Sequence, residues 1–134
     1  MKWLFKTEPS DYSFDRLSRE GRTLWTGVKN ALALKHLRQV KKGDEIAVYH
    51  TGSEKSVVGI ARAVADARGD AVQIAPLRSV MPVSLASIKA DPRFKDFALV
   101  KMGRLSVMPV PDALWRSLTG PAGSGTSAAP PKPR

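Results

Sequence analysis

The sequence predicts an α+β fold, a small mixed β-barrel of five to six strands with short flanking helices. The chain has 134 residues, of which 43% are apolar, and this suits one domain around one hydrophobic core. Segments with the two-residue alternation of a strand are interspersed with segments of helical periodicity. Short strands and short helices in mixed order favour a sheet that curls into a small barrel.

The first half of the chain predicts one strand, two helices and a loop. The segment "MKWLFKTEP" alternates and ends at Pro9, as a strand does. The segment "SFDRLSREG" predicts a short helix with Ser13 at its start and Gly21 at its end. We interpret "LWTGVKN" as a loop, and "NALALKHLRQVKKGD" as a helix that starts near Asn30 and closes at Gly43.

The second half predicts further strands and short helices. The segments "EIAVYHTG" and "SVVGIARAVADAR" predict two strands joined by a turn, and "AVQIAPLRS" predicts another strand. The segment "PVSLASIKAD" predicts a short helix with Ser84 near its start, and a helical turn is the best interpretation of the ambiguous "FKDFALVKMG". A last strand is predicted in "RLSVMPV", and Pro111 in "PDALWRSL" suits the start of a last helix.

The composition changes at Gly120. The last segment, "GPAGSGTSAAPPKPR", contains three glycines, four prolines and no large apolar residue. A segment of this kind cannot contribute to a core, so we expect it to be a flexible tail. The sequence therefore predicts a domain at 1–119 and a tail at 120–134.

Charge and composition narrow the classes of function. A net charge of +10 and a pI of about 10.3 attract polyanions, of which nucleic acid is the commonest in a cell. The absence of cysteine excludes disulfides and thiolate metal sites. There is no apolar run long enough to span a membrane, and the start of the chain does not look like a signal peptide. We expect a soluble cytoplasmic protein, monomeric and without a metal or cofactor.

The two histidines are the residues that could support an enzyme. His36 lies at the edge of the basic helix, where a structural or exposed role is the better interpretation. His50 ends a strand and could act as a general base, with Asp44 or Ser106 as its partner. Nothing in the spacing requires either partner, so a hydrogen-bonded role for His50 at the strand end is favoured.

The loop "LWTGVKN" has two interpretations. In the first, the Trp25 indole closes one end of the barrel as part of the core. In the second, the indole face stacks on a nucleic-acid base, an interaction worth about 1–3 kcal/mol per base. Asn30 would then offer an amide to the base edge, and Lys29 would lie near a phosphate.

Four separated stretches resemble one known family. They are "WLFKTEP", "WTGVKN", "GDEIAVYHTG" with "VVGIARAV", and "GRLSVMPV", and together they resemble the EVE domain of the PUA-like superfamily. The resemblance runs from about Met1 to Leu118. It implies a PUA-like barrel that reads a modified base, for example a methylated one, in DNA or RNA. It also implies a binding module and not a catalyst.

The resemblance implies a set of site residues. The base pocket would be formed by residues from each of the four motifs, in chain order: Thr7 and Glu8; Trp25, Gly27, Val28 and Asn30; Tyr49, His50 and Thr51; and Leu105, Ser106 and Val107. Phosphates would be bound by basic residues near these motifs: Lys6, Lys29, Lys35, Arg38, Lys42 and Arg104. A base that lies inside a duplex is inaccessible, so the target would be single-stranded or flipped out.

This chain departs from the family pattern after Val64. Many members carry a longer, proline-rich insertion there, followed by a strand with a tryptophan, whereas "ADARGDAVQIAPL" makes a short turn. Two other classes of function stay open. One is an enzyme that uses His50 as a base on a nucleotide or small polar substrate. The other is a basic adaptor whose tail, "APPKPR", suits polyproline recognition.

Overall fold

The computed structural model describes residues 1–119 and contains six strands and five short α-helices within them. The strands are β1 (Lys2–Thr7), β2 (Thr23–Trp25), β3 (Glu45–His50), β4 (Ser56–Ala63), β5 (Val72–Ser84) and β6 (Val107–Pro109). The helices are α1 (Phe14–Glu20), α2 (Ala31–Leu37), α3 (Leu85–Ala90), α4 (Ala98–Lys101) and α5 (Asp112–Thr119), with a 3₁₀ turn at Pro92–Phe94. The predicted tail and its adaptor role lie outside the described residues.

The six strands form one mixed sheet in the order β2-β5-β4-β3-β1-β6. Strand β1 pairs in parallel with β3, and the other pairings are antiparallel. In this order β1 and β2 are four strand spacings apart, which would be roughly 19 Å in a flat sheet. The rings of Phe5 on β1 and Trp25 on β2 nevertheless lie 5.4 Å apart. The sheet therefore curls until these strands face each other, and the predicted α+β barrel is confirmed.

Strand β1 is at the centre of the packing. Trp3, Leu4 and Phe5 are consecutive and all buried, so both faces of the strand are covered. On the Trp3 face, the indole packs against His36 of α2 with ring centroids 6.2 Å apart. On the opposite face, the Lys2 ammonium lies over the Trp115 ring of α5. Because both faces are covered, the middle of β1 is apolar on both sides and does not alternate strictly between apolar and polar residues.

The predicted helix starts are confirmed by their caps. The hydroxyls of Ser13 and Ser84 and the amide oxygen of Asn30 each accept a hydrogen bond from the backbone N–H three residues later. Helix α1 stops as predicted at Gly21, whose φ of 79° is in the left-handed region that glycine adopts freely.

The predicted end of α2 at Gly43 is wrong, because the helix ends at Leu37. The N–H groups of Gln39 and Val40 bond to carbonyls only three residues back, which tightens the chain into turns. Val40 is nevertheless buried, as its place in the apolar pattern predicted. The apolar pattern thus continues past Leu37, and for this reason it does not indicate where the helix ends.

Two other boundaries differ from the sequence predictions. The segment interpreted as a loop begins with the three-residue strand β2, which pairs with Val72–Ile74 of β5 and is too short to show alternation. Strand β5 continues beyond its predicted end at Ser79, through Pro82 to Ser84, and so includes the first three residues of the segment predicted to form the short helix. Proline is tolerated there because β2 does not pair with this part of β5, so the proline needs no N–H bond on that side. Among residues 1–119, no helix is long and apolar enough to cross a membrane.

Candidate functional site

A cavity of about 430 Å³ opens between the end of β1 and the loop that follows β2. It is lined by residues 6–8, 11–12, 23–29 and Ser106. The curl of the sheet creates this cavity, since it brings β2 and its loop against the end of β1. Two predicted motifs, the end of the first strand and the tryptophan loop, therefore meet at one place.

Trp25 is both a packed residue and a wall of this cavity. Its half-buried indole is tilted by 46° against the Phe5 ring. It also meets the Tyr12 ring edge-on, with centroids 6.1 Å apart. Edge and tilted contacts of this kind are favourable between aromatic rings and hold the indole in one orientation. The two interpretations of Trp25 are therefore compatible.

The loop after Trp25 is held by its glycine and valine. Gly27 has a φ of 81°, a conformation that other residues adopt only with strain. Val28 is partly buried against the core and anchors the loop. Lys29 is exposed next to it and lines the cavity.

The end of β1 supplies an ordered carboxylate. One oxygen of Glu8 accepts a hydrogen bond from the Thr51 hydroxyl at 2.9 Å, and the other accepts one from the Ser10 hydroxyl at 3.2 Å. Glu8 also lies so close to Gly52 that a Cβ there would be 2.7 Å from its oxygen. Thr7, beside it, donates its hydroxyl to the Tyr12 carbonyl at 2.7 Å. A fixed hydrogen-bond acceptor thus faces the cavity.

Lys6 and Ser106 complete the wall opposite the loop. The Lys6 ammonium donates to the Gly103 carbonyl at 2.8 Å and lies over the ring of Tyr49. Partial burial lowers the pKa of Lys6 from its ordinary value. The Lys6 N–H donates to the Ser106 carbonyl, and this backbone bond places the Ser106 side chain on the cavity wall.

Tyr49 and Thr51 lie beside this cavity and not in it. Both line a second cavity of about 220 Å³, which shares Lys6 with the first. For clarity, we call the first the tryptophan cavity and the second the lysine cavity, which also includes Lys55 and Lys89.

His50 is buried and hydrogen-bonded through both ring nitrogens. Its Nε2 accepts from the backbone N–H of Phe14 at 3.0 Å, so Nδ1 carries the proton and lies 2.9 Å from a Glu54 oxygen. These bonds tie the end of β3 to the start of α1. Among the described residues, His50 lines neither cavity, and neither nitrogen is available to a substrate.

Three other residues of the predicted base pocket lie outside the tryptophan cavity. Asn30 accepts the Ala33 N–H as the cap of α2. Leu105 and Val107 are buried in the core. The resemblance placed these residues near the site because they flank the residues that do line it.

Of the six predicted phosphate-binding residues, Lys6 and Lys29 line the tryptophan cavity. The other four, Lys35, Arg38, Lys42 and Arg104, are exposed and lie outside its lining. Arg38 forms an ion pair with Asp70, and the backbone N–H of Lys42 donates to Asp66. The segment after Val64, where the family pattern breaks, thus contacts the region after α2 and contributes nothing to the described lining.

Asp11 and Tyr12 also line the tryptophan cavity, although neither belongs to the predicted site residues. The N–H groups of both residues bond to the Glu8 carbonyl in a turn. A turn was signalled by Pro9 and Ser10 in "EPSDY", but its direction depends on the packing of Tyr12 against Trp25. Within residues 1–119, no group of three or more His, Asp or Glu side chains could hold a metal ion.

A curled mixed sheet with short flanking helices and an aromatic cavity at the strand ends defines the class of small PUA-like barrels. Within this class, the chain belongs to the EVE domain family, whose model matches residues 1–120. Comparison with curated proteins gives no match.

Solved structures agree with this assignment. The NMR structure of Rpa0253 from Rhodopseudomonas palustris is 36% identical, with a TM-score of 0.82, over 87% of this chain and 89% of that one. The crystal structure of Atu2648 from Agrobacterium tumefaciens is 33% identical, with a TM-score of 0.83, over 99% and 98% of the two chains. Human THYN1, solved in complex with 5-methylcytosine containing DNA, is 21% identical with a TM-score of 0.82, over 96% and 99%. At that identity the human protein shows the shared fold alone.

Proposed function

We propose that this protein is a non-catalytic nucleic-acid-binding module that holds one unpaired, modified base in the tryptophan cavity. The observation that carries the proposal is the composition of the cavity wall. An aromatic ring, an ordered carboxylate and two lysines face one space of about 430 Å³. This volume is within the range of about 300–1,000 Å³ that ligand sites occupy.

Each part of the wall suits a different part of a nucleotide. Stacking on Trp25 stabilises a base by about 1–3 kcal/mol without regard to its identity. The carboxylates of Glu8 and Asp11 are acceptors for an exocyclic amino group, which cytosine and adenine carry and thymine lacks. Lys6 and Lys29 attract the adjoining phosphates. The cavity therefore favours an amino-bearing base.

A preference for a modified base needs more than apolar contact. Burying one added methyl group is worth roughly 0.8 kcal/mol, which is only about fourfold in affinity. Strong discrimination requires a cavity that leaves the unmodified base poorly fitted. The complex of human THYN1 with 5-methylcytosine containing DNA supports modified cytosine as the first ligand to test.

The contacts of His50 favour binding over catalysis. A general base needs a free nitrogen within hydrogen-bond reach of its substrate. Both His50 nitrogens are engaged, with Phe14 and Glu54. The alternative, an enzyme that uses His50 as a general base, therefore lacks the free nitrogen that it would require.

The test is binding of short single-stranded and duplex DNA and RNA, with and without modified cytosine or adenine, at two salt concentrations. We expect one modified base to be preferred at both salt concentrations. Trp25→Ala should weaken binding of that ligand about 5- to 150-fold, which is the stacking energy converted to affinity. Trp25→Phe, which keeps a ring, should lose less.

The matched control is Trp115→Phe, because Trp115 packs under Lys2 and lines neither cavity described above. This variant should keep the wild-type preference. Thermal unfolding of each variant separates lost binding from lost folding. Equal, salt-sensitive binding of all nucleic acids by the wild type would contradict the proposal, since only the net charge of +10 would then be recognised.

A further inference from the structure

The lysine cavity has no assigned role in the function proposed above. It lies between the β3–β4 turn, α3 and the segment around α4, and its volume is about 220 Å³. Three lysines line it: Lys6 from β1, Lys55 from the turn and Lys89 from α3. These residues are far apart in sequence, so only the fold brings their side chains to one space.

The two adjoining cavities differ in charge. The tryptophan cavity is lined by two carboxylates, those of Glu8 and Asp11, and by Lys29 and Lys6. The Lys6 ammonium donates to Gly103 on the lysine-cavity side, so the tryptophan cavity has no excess of positive charge. Within residues 1–119, the lining of the lysine cavity contains three lysines and no acidic side chain. The Glu8 carboxylate lies behind this wall, where it accepts the Thr51 hydroxyl. An anion is therefore favoured in the lysine cavity and a neutral base in the tryptophan cavity.

The backbone holds Lys55 in place. Its φ of 44° is in the left-handed region, which is uncommon for a residue other than glycine. Its carbonyl accepts the Leu85 N–H at 2.7 Å, which joins the turn to the start of α3. A strained non-glycine residue at a fixed position is a feature that clusters at ligand sites.

The lysine cavity also contains a hydroxyl donor. Tyr49 lines the cavity, and its phenol, with an ordinary pKa of about 10 that burial raises further, is protonated at neutral pH. The Lys6 ammonium reaches the Gly103 carbonyl on this side, and Lys6 also lines the tryptophan cavity. Lys6 is thus the physical link between the two spaces.

We propose that the lysine cavity binds a backbone phosphate of the same nucleic-acid strand whose base occupies the tryptophan cavity. The bound strand then crosses Lys6, with its base on one side and a neighbouring phosphate on the other. This inference rests on the proposed function. It adds Lys55 and Lys89, which the sequence analysis did not identify, as phosphate-binding residues.

The experiment compares the double variant Lys55→Gln/Lys89→Gln with the wild type on a single-stranded oligonucleotide that carries the preferred base. The affinity is measured over a range of salt concentrations. Loss of one phosphate contact should make the slope of log affinity against log salt shallower by about 0.7. The ratio of affinities for modified and unmodified base should not change, because the tryptophan cavity is intact.

The matched control is Lys41→Gln/Lys95→Gln, which removes the same charge from two exposed lysines that line neither cavity. The control should keep the wild-type slope. If both double variants change the slope equally, or neither does, the lysine cavity has no specific role and the inference is overturned while the proposed function stands. If the wild type binds no nucleic acid, the proposed function fails and the inference fails with it.

A measurement on the wild type guards against a variant that does not fold. Amide chemical shifts are followed during titration with the same oligonucleotide and, separately, with inorganic phosphate. The expected result is that the oligonucleotide shifts Thr51, Gly52, Lys55 and Lys89 together with the amides of the tryptophan loop. Shifts confined to the tryptophan loop would overturn the inference. Shifts at the lysine cavity with inorganic phosphate but not with the oligonucleotide would identify a site for free phosphate and would also overturn the inference.

Discussion

The imidazole of His50 joins two elements through hydrogen bonds from a buried position. It accepts the Phe14 N–H, one of the backbone donors at the start of α1 that the helix itself leaves unpaired. It lies 2.9 Å from Glu54 through its other nitrogen. Its place at a strand end, next to Tyr49, made a role as a general base a possible interpretation of the sequence. Its contacts are those of a structural one.

Removing the His50 imidazole should therefore cost stability. We expect His50→Ala to lower the free energy of unfolding by about 1–3 kcal/mol, because the buried Phe14 N–H loses its acceptor. His50→Gln is the matched control, since its amide offers both an acceptor and a donor, and it should recover part of the loss. Urea unfolding measures both variants. A stable His50→Ala protein that lost turnover of a nucleotide would instead support the enzyme interpretation.

Trp25 shows why one residue can fit two interpretations at once. Its contacts with Phe5 and Tyr12 are those of a core residue, whereas its exposed part lines the tryptophan cavity. A stacking platform needs a fixed orientation, and packing one side of the ring against other aromatic rings provides it. Burial of one side of the Trp25 ring is therefore compatible with the proposed stacking of a base on the other.

At the scale of elements, the start of α2 separates a capping residue from the residues that line the tryptophan cavity. Asn30 accepts the Ala33 N–H at 3.0 Å, the bond that satisfies a free donor in the first turn. The loop before it lines the tryptophan cavity as far as Lys29. Adjacent residues thus serve different purposes, and the "WTGVKN" motif combines both.

The expected effect of Asn30→Ala is a loss of about 1 kcal/mol in the free energy of unfolding, with the preference for the modified base unchanged. Asn30→Asp keeps the capping oxygen and should retain both properties. Thermal unfolding and the oligonucleotide binding assay are measured on the same samples. An Asn30→Asp protein of normal stability that had lost its preference would show that the amide contacts the base.

At the scale of the whole molecule, Asp44 closes the barrel at the end where β1 and β3 begin. The Trp3 indole N–H and the Lys41 N–H both donate to its carboxylate at 2.9 Å. Burial alone would raise the pKa of Asp44. The bonds from Trp3, Lys41 and the chain's amino terminus outweigh burial and hold that pKa below its ordinary value.

The sign of this shift predicts a loss of global stability in acid. A lowered folded-state pKa means that Asp44 contributes its stability above the ordinary carboxyl pKa of about 3.9. The contribution is lost as the pH falls through the lower folded value. We expect Asp44→Asn to have a lower Tm than the wild type at pH 7, with the difference shrinking below about pH 4.

The control for this prediction is Asp96→Asn, because Asp96 is exposed and, among residues 1–119, forms an ion pair with Lys101 alone. Exposed pairs contribute little, so its Tm should follow the wild type at every pH. Thermal unfolding followed by circular dichroism between pH 2.5 and 7 tests both variants. A constant Tm difference between Asp44→Asn and the wild type across this range would argue against the assigned role.

The sequence by itself determined the features that depend on neighbouring residues. Helix starts at Ser13, Asn30 and Ser84 could be predicted because a cap joins side chain and backbone only three residues apart. The mixed α+β character followed from periodicity, and the family followed from four motifs in order. The charge that favours nucleic acid is a property of composition.

Only the tertiary structure decided which residues share a cavity. Trp25 meets Phe5 because the sheet curls, and Lys6, Lys55 and Lys89 meet because β1 pairs in parallel with β3 while α3 packs against the β3–β4 turn. Tertiary contacts also assigned His50 to a structural bond with the Phe14 N–H and placed Arg38 against Asp70. Such contacts join residues tens of positions apart, and no local pattern in the chain encodes them.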